Sequence, residues 1–400
     1  MTTAESGALD LERLMAEVSA QEGLADYGDP VFVEPMSRML DSVLTEARLN
    51  QAGTIGLELD ARRWLGNRLR MRADVTRHPE ILDEDVSDPI VIVGVPRTGT
   101  TKLQRVLARD PGVQSIPFWQ ILNPAPFPGE QADPDPRILM ARQVVEAMAM
   151  YAPDIQELHP FAAEEPEEEI VLLEMTGRAL SSVLYFDAPS YTSWLLEQPQ
   201  QPLYTELRLV LQYLQWQDGG RKDRPWVLKS PMHLGRINAL LDVFPRATLV
   251  HCHRELTTSM TSTCNLVAAA RLARTDSLDP LALGTFLLEW CSREWNANIE
   301  QRAQLGSDTP VLDIEYTAIR DDILGVVRSI RRARGDAAPS AAAEAAMLAW
   351  EDTHSARSGP YRHSADHYGL DPDRVRDAFA TYLDHFGALI SAPVGASQGH

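Results

Sequence analysis

The stretch PIVIVGVPRTGTTKLQRVLARDPGV, residues 89–113, decides the fold of this chain. It opens with a continuous apolar run, 90–95, which predicts a strand buried on both faces, as in a parallel sheet. A loop with two glycines follows, and then apolar residues at helical spacing predict a helix that stops before residue 111. Such a loop offers free backbone N–H groups and the positive end of a helix dipole, an arrangement that suits phosphate oxygens.

Working outward, the rest of the chain predicts an α/β fold, a central parallel sheet flanked by helices. Apolar runs recur at 226–230, 247–253 and 310–316, with 113–117 as a weaker candidate, and helical patterns lie between them. Ligands of such folds bind at the carboxyl ends of the strands. Residues 1–85 show helical periodicity without a strand pattern, so we expect a helical N-terminal cap followed by an α/β domain over 86–400.

Charge and composition narrow the classes of function. The 400 residues carry 37 basic and 57 acidic side chains, a net charge of −20, which disfavours nucleic acid as a partner. The three cysteines lack the spacing of a zinc site or a disulfide framework. Neither a signal peptide nor an apolar run of 18 residues is present. We expect a cytoplasmic protein without a transmembrane segment, and a homodimer stays open.

The glycine loop differs from a nucleotide-hydrolysing P-loop at one decisive position. Gly94 and Gly99 have the spacing of GxxxxGK[ST], but Thr100 stands where the lysine that reaches the β- and γ-phosphates belongs. Arg97 supplies positive charge from inside the loop, and Thr101 adds a hydroxyl. The pattern favours a phosphate-like group without a γ-phosphate and without a required metal. A P-loop kinase or NTPase and a non-catalytic nucleotide-binding protein remain the alternatives.

This loop resembles the 5′-phosphosulfate loop of the sulfotransferases that use 3′-phosphoadenosine 5′-phosphosulfate (PAPS). The resemblance implies that PAPS is the co-substrate and is contacted by Arg97, Thr98, Gly99, Thr100, Thr101 and Lys102. A second motif supports it: Arg254 at a predicted strand end is followed eight residues later by Ser262, on the next helix. That pair resembles the family's 3′-phosphate site, although Glu255-Leu256 replaces the Asp-Pro or Asn-Pro that often follows the arginine.

A third motif, LKSPMH at residues 228–233, resembles the LKSPxH element of bacterial sulfotransferases. The resemblance implies that Lys229, together with Arg97, neutralises charge on the bridging oxygen as the sulfuryl group leaves. Ser230 and Pro231 are typical of a helix start. His233 would then lie in the first turn and is one candidate for the general base that takes the acceptor proton.

A rival set of bases lies in ELHPFAAEEPEEEIVLL, residues 157–173, which looks like a further signature of bacterial members. Pro166 predicts the start of a helix with glutamates in its first turn, where the dipole favours carboxylate. We expect Glu167 or Glu168 to be the base, with His159 behind them and His233 as the alternative.

The resemblance spans roughly residues 88–385 and leaves the grip on the adenine open. Tyr316, at the end of the last predicted strand, resembles the family's tyrosine near the adenine, whereas Lys102 replaces its stacking tryptophan. Arg362, with Arg357, is the candidate for a basic loop over the 3′-phosphate, without the family's RKGxxG pattern. The implied reaction is in-line sulfuryl transfer to the hydroxyl of a small, apolar acceptor, with no metal.

Overall fold

The computed structural model describes residues 9–129, 132–220, 223–354 and 363–390. Within them lies one sheet of four strands in the order β2–β1–β3–β4, with every neighbouring pair parallel. The strands are β1 (Ile90–Val93), β2 (Val227–Lys229), β3 (Thr248–His253) and β4 (Val311–Glu315). They fall on the four principal apolar runs of the sequence, so the predicted α/β fold with a central parallel sheet is confirmed.

Helices surround this sheet and make up most of the described chain. In chain order the α-helices are α1 (Leu11–Glu22), α2 (Val33–Glu46), α3 (Gln51–Arg77), α4 (Thr100–Leu107), α5 (Phe118–Leu122), α6 (Pro136–Tyr151), α7 (Pro153–Leu158), α8 (Ser181–Tyr185), α9 (Pro189–Glu197), α10 (Gln201–Gln217), α11 (Ile237–Val243), α12 (Leu256–Leu272), α13 (Pro280–Arg302), α14 (Tyr316–Asp321), α15 (Ile323–Arg334), α16 (Ala341–His354), α17 (Pro372–Ala378) and α18 (Ala380–Phe386). Short 3₁₀ helices cover Pro30–Phe32, Pro79–Asp83, Glu169–Thr176, Pro231–Arg236, Ala365–Tyr368 and Gly387–Leu389.

The two faces of the sheet pack into two separate hydrophobic clusters. Ile90 and Ile92 of β1 belong to a cluster built with α4 and α15, whereas Val91 and Val93 belong to the larger cluster on the other face. Side chains alternate between the faces of a strand, and both faces of β1 are covered. This is why the strand reads as a continuous apolar run rather than an alternating one.

The N-terminal helices pack directly onto the α/β part. Leu14, Met36 and Leu65 are fully buried in the same hydrophobic cluster as Tyr204 and Leu240 of the later helices. The turn before α3 is also fastened to the end of α12, since the Thr275 hydroxyl donates to the Arg48 carbonyl at 2.6 Å. One hydrophobic core thus runs across the boundary between residues 1–85 and 86–400. The division into a cap and a domain there stays a prediction.

The segment 113–117 does not become a fifth strand. Gln114 forms an isolated parallel bridge with Trp226 just before β2, and Pro117 forms an antiparallel bridge with Pro166. The apolar pattern thus marks an extended segment beside the edge of the sheet. One end of this segment pairs next to β2, and the other end pairs with Pro166.

The predicted helix start at Pro166 is wrong. The chain is extended there, and the Glu167 N–H donates to the Ile116 carbonyl at 3.1 Å. The 3₁₀ helix Glu169–Thr176 begins three residues later, with Glu168 at its N-cap. Pairing with the neighbouring extended segment has overridden the local preference of the proline-glutamate sequence for a helical turn.

Candidate active site

The glycine loop lies at the carboxyl edge of the sheet, between β1 and α4. Gly94 and Gly99 have φ values of +157° and +89°, which favour glycine. A Cβ at Gly94 would lie 2.6 Å from the Cys252 carbonyl oxygen on β3. A Cβ at Gly99 would lie 3.2 Å from the Tyr316 ring. Both glycines therefore permit close approaches that a side chain would obstruct.

The loop closes on itself and leaves the start of α4 available to an anion. The Thr98 hydroxyl is buried and donates to the Val95 carbonyl at 2.9 Å. Gly99 is the N-cap of α4, so no side chain caps this helix. The first-turn N–H groups, which include those of Thr100 and Thr101, have no acceptors within an α-helix. This is the arrangement that binds phosphate-like groups.

Arg97 connects the loop to the second motif. It has a left-handed φ of +72°, and its Nε donates to the Ser262 hydroxyl at 3.0 Å. Its Nη1 donates to the Leu158 carbonyl at 2.8 Å, and its own carbonyl accepts from Arg254 Nη1 at 2.8 Å. Residues 97, 254 and 262, expected at two different phosphates, are thus in direct contact. Their roles in binding remain predictions.

Arg254 is held from a second side by the end of β4. Its guanidinium carbon lies 4.1 Å from the centre of the Tyr316 ring, a cation–π distance. Tyr316 is the first residue of α14, directly after the strand. Glu255 replaces the family's aspartate as the N-cap of α12, accepting from Thr257 N–H at 2.8 Å. The turn departs in sequence but still starts the helix that carries the serine.

Lys229 ends β2 and meets the acidic segment. Its side chain is 1% exposed, and Nζ donates to Glu168 Oε1 at 2.7 Å. The other Glu168 oxygen lies 3.3 Å from the Ser230 hydroxyl, which itself caps the following 3₁₀ helix by accepting from Met232 N–H. The Glu168 side chain keeps 27% of its surface exposed. It is therefore a carboxylate beside the buried lysine that is partly open to solvent.

Glu167 is held far more firmly than Glu168. Arg105 Nη2 donates to one of its oxygens at 2.6 Å, and His159 Nε2 lies 3.0 Å from both. Burial alone would raise the pKa of Glu167, but the charges of His159, Lys229 and Arg105 outweigh it and lower the pKa to about 2. Such a carboxylate is a weak base with its oxygens already in use.

His233 is completely buried, and the structure engages both of its ring nitrogens. Nε2 lies 2.5 Å from Glu169 Oε1, and Nδ1 lies 3.0 Å from the Tyr204 hydroxyl. Glu169 also accepts from the Lys229 backbone N–H at 2.8 Å. Both ring nitrogens of His233 are therefore engaged by neighbouring side chains, and its role as a base stays a prediction.

Two predicted nucleotide contacts remain, Lys102 and Arg362. The first is paired within the protein, and the second lies outside the described residues. The Lys102 ammonium forms an ion pair with Glu351 of α16, which directs it toward that helix. Arg362 and Arg357 lie outside the described residues. Sequence reasoning missed Arg105 and Glu169. Glu169 belongs to the acidic run that drew attention to its neighbours, but Arg105 looks like any helix-surface arginine until the fold sets it against Glu167.

Comparison with known proteins identifies the chain. A family model for the Sulfotransferase family matches residues 89–335, which include the glycine loop, the lysine motif and the Arg254–Ser262 pair. This chain belongs to the sulfotransferase family. The resemblance inferred from the motifs is confirmed, and the kinase alternative receives no support.

Two solved sulfotransferases share the fold over nearly the whole chain. Sulfotransferase STF9 from Mycobacterium avium superposes with a TM-score of 0.84 at 26% identity, covering 96% of this chain and 98% of that one. STF1 from Mycobacterium tuberculosis H37Rv gives 0.80 at 29% identity, covering 94% and 99%. At these coverages the similarity includes most of residues 9–85, beyond the range that the motifs reached.

Curated relatives add a named acceptor for related proteins. The omega-hydroxy-beta-dihydromenaquinone-9 sulfotransferases Stf3 of Mycobacterium bovis and Mycobacterium tuberculosis are each 25% identical to this chain over 253 residues. The match covers 60% of this chain and 61% of each relative's length. The sequence similarity therefore covers about three fifths of each protein.

The described residues contain no cluster of three or more histidine, cysteine, aspartate or glutamate side chains arranged to hold a metal ion. Among those same residues, no helix has the length and apolar character needed to cross a membrane.

Proposed function

We propose that this protein transfers the sulfuryl group of PAPS to a hydroxyl of an apolar acceptor. The observation that carries the proposal is the contact of Arg97 with both Ser262 and Arg254, at the carboxyl edge of the sheet and one strand away from Lys229. These cationic groups gather at one place in a chain whose net charge is −20. A dianionic nucleotide end explains such a local basic site.

The residues present fit the donor nucleotide. The uncapped start of α4 and the Arg97 side chain suit the 5′-phosphosulfate, and Arg254 with Ser262 suits the 3′-phosphate. Tyr316 lies against both Gly99 and Arg254, beside the two phosphate positions, where it would pack near the adenine. PAPS supplies the sulfuryl group, and 3′-phosphoadenosine 5′-phosphate (PAP) leaves.

Lys229 and Arg97 would stabilise the departing phosphate. The acceptor oxygen forms a bond to sulfur while the bond from sulfur to the 5′-phosphate oxygen breaks, and the released electron pair stays on that oxygen. Lys229 is buried at the end of β2 beside Glu168, so little water screens its positive charge, which would act on the developing negative charge as Glu168 takes the acceptor proton. Arg97 sits across the edge in the glycine loop and would share this role.

We infer that Glu168 is the base that takes the acceptor proton. It is the partly exposed member of the acidic segment and lies 2.7 Å from the ammonium of Lys229. Glu167 is committed to Arg105 and His159, and His233 is enclosed by Glu169 and Tyr204. His159, held by Glu167, is the second candidate, and it can take a proton only in its neutral form.

An apolar acceptor is supported from two directions. The curated relatives are named for a hydroxylated menaquinone, a lipid with a hydroxyl group. In this chain a narrow, mainly apolar cavity adjoins both the glycine loop and the lysine motif; its lining includes Val95, Pro96, Leu184, Pro231, Met232, Leu287 and Trp290. We therefore propose a hydrophobic alcohol as the acceptor.

Radiolabelled PAPS tests the proposed reaction. The protein is incubated with [³⁵S]PAPS and a panel of hydroxylated lipids, isoprenoid alcohols, steroids and phenols, with Lys229→Ala as the matched control. Labelled product from at least one apolar alcohol, lost in the control variant, is the expected result. Label transferred only to polar acceptors such as sugars would contradict the acceptor class while leaving the reaction intact.

The cellular setting is proposed on chemical grounds. All three cysteines, Cys252, Cys264 and Cys291, are buried and free. Unpaired cysteines in a folded chain are typical of a reducing compartment, so we propose a cytoplasmic location. Free-thiol titration of protein purified without reductant would yield three thiols after denaturation; fewer would contradict this.

A further inference from the structure

The C-terminal segment, residues 363–390, contacts a near neighbour of each residue in the pair assigned above to the 3′-phosphate. One contact reaches His253, the residue directly before Arg254. The other reaches Asn265, one helical turn after Ser262 on α12. Neither contact was visible in the sequence, because the partners lie 129 and 98 residues apart.

The first contact runs through a fully buried histidine. His253 ends β3 with 0% exposure, and its Nδ1 lies 2.8 Å from the Tyr382 hydroxyl of α18. Its Nε2 lies 3.0 Å from Asp313 Oδ1 on the neighbouring strand. Arg302 of α13 donates to both Asp313 oxygens, at 2.6 and 2.7 Å. The strand end that presents Arg254 is thus fixed by a continuous polar chain from α13 to α18.

The positions of the protons in this hydrogen-bonded network follow from the charge of Asp313. Burial alone would raise the pKa of Asp313, but the hydrogen bonds from Arg302 and His253 outweigh it and hold the pKa far below its usual range. An ionised Asp313 only accepts, so His253 donates from Nε2. In a neutral imidazole Nδ1 then accepts from the Tyr382 hydroxyl, so that both ring nitrogens have a partner.

The second contact is a two-point clamp on the backbone. Asn265 is 3% exposed; its Nδ2 donates to the His363 carbonyl and its Oδ1 accepts from the His363 N–H, both at 3.1 Å. A side-chain amide that matches a backbone amide in this way fixes direction as well as distance. The start of the C-terminal segment is therefore attached to the same helix as Ser262.

We propose that the C-terminal segment positions Arg254 and Ser262, through Tyr382–His253 and His363–Asn265, and so sets the selectivity for nucleotides that carry a 3′-phosphate. The inference rests on the proposed function, and assigns Tyr382, His253 and Asn265 as positioning residues rather than catalytic ones. Apolar side chains at the buried position of His253 would pack without the cost of burying an imidazole. A buried polar network at His253, the residue directly before Arg254, is explained by the need to hold that arginine in one place.

Two tyrosine variants test this proposal. Tyr382→Phe removes the hydroxyl that meets His253 and keeps the ring in its aromatic cluster. Tyr368→Phe makes the same change in the same segment, at a buried tyrosine whose hydroxyl has no hydrogen-bond partner among the described residues. Affinities for PAP and for adenosine 5′-phosphosulfate, which lacks the 3′-phosphate, are measured by calorimetry for wild type and both variants. Asn265→Ala is measured in parallel.

The ratio of the two affinities is the readout. For Tyr382→Phe, which removes one hydrogen bond, and for Asn265→Ala, which removes the two to His363, we expect PAP binding to weaken at least about threefold, with adenosine 5′-phosphosulfate binding unchanged. Tyr368→Phe should alter neither. Equal losses for both nucleotides, or an unchanged ratio in both variants, would overturn the positioning role. A wild-type protein that binds the two nucleotides equally would overturn the proposed function and this inference together.

Discussion

Replacing Glu168 by glutamine separates the base from its neighbours. The amide keeps the size of the carboxylate, and its oxygen still accepts from Lys229 at the position now 2.7 Å away. It cannot take a proton at any accessible pH. Loss of a general base costs about 10²–10⁴-fold in turnover, so we expect Glu168→Gln to reduce turnover at least about 10²-fold.

The nucleotide affinity of this variant should stay near that of wild type. Glu168 contacts Lys229 and Ser230. The groups assigned to the nucleotide are different ones, namely the Arg254–Ser262 pair and the first turn of α4. Single-turnover transfer from [³⁵S]PAPS gives the chemical step, and calorimetry with PAP gives the affinity. A fall in the first without a change in the second is the expected pattern.

Glu167→Gln provides the matched comparison. Glu167 is buried and shared by Arg105 and His159, so neutralising it leaves Arg105 without its charged partner. Breaking a buried ion pair typically costs about 3–5 kcal/mol, and a lower unfolding temperature should accompany any loss of turnover. Full activity in Glu168→Gln, with activity lost in His233→Ala or His159→Ala, would refute the assignment and move the proton to that histidine.

Three further outcomes are expected. Arg254→Ala should weaken PAP binding by about 2–3 kcal/mol, since a charged phosphate contact is lost, while calorimetry with adenosine 5′-phosphosulfate shows little change; equal losses would reject the 3′-phosphate assignment. Turnover should survive EDTA, because Thr100 stands in place of the P-loop lysine and the loop offers no γ-phosphate site; an absolute magnesium requirement would speak for kinase chemistry. Burial, reinforced by Asp60, raises the pKa of Glu174 to about 7 from 4.5, so the folded state keeps a proton that the unfolded chain has lost, and stability falls as pH rises through that window. Urea unfolding should find Glu174→Gln more stable than wild type at pH 8, by about 1–3 kcal/mol, and equal to it at pH 4; a difference that is the same at both values would contradict the shift.

The parts of the site that sequence predicted are those set by local geometry. A buried strand, a glycine loop and a helix follow each other in residues 89–113, so the loop could be placed at the carboxyl edge of the sheet. Arg254 and Ser262 lie eight residues apart across a strand end and two helical turns, a spacing that brings both toward one group. The spacing of side chains along a helix or a strand is fixed by local backbone geometry, so it can be recognised in the sequence.

The rest depended on which distant segments meet. Pro166 was expected to start a helix, but pairing with Pro117 holds that stretch extended. His233 lies in the first turn after Ser230 as expected, but its enclosure by Glu169 and Tyr204 could not be predicted. Neither outcome follows from local propensity, because each is decided by tertiary contacts that a single sequence does not display.

The acidic run shows the same limit within a few residues. Glu167, Glu168 and Glu169 are consecutive and chemically identical in the sequence. The fold turns the first toward Arg105, the second toward Lys229 and the third toward His233. Their different environments arise from three partners on three different elements. The sequence could therefore identify the segment, but it could not predict which glutamate has which partner.

Calorimetric titration with PAP in the presence of EDTA tests the central claim most directly. The site is inferred to hold a 3′-phosphorylated nucleotide through Arg97, Arg254 and Ser262 without a metal. The expected result is binding of PAP in EDTA, weakened by added salt and by Arg254→Ala. ATP binding that requires magnesium, with no heat from PAP, would contradict the claim.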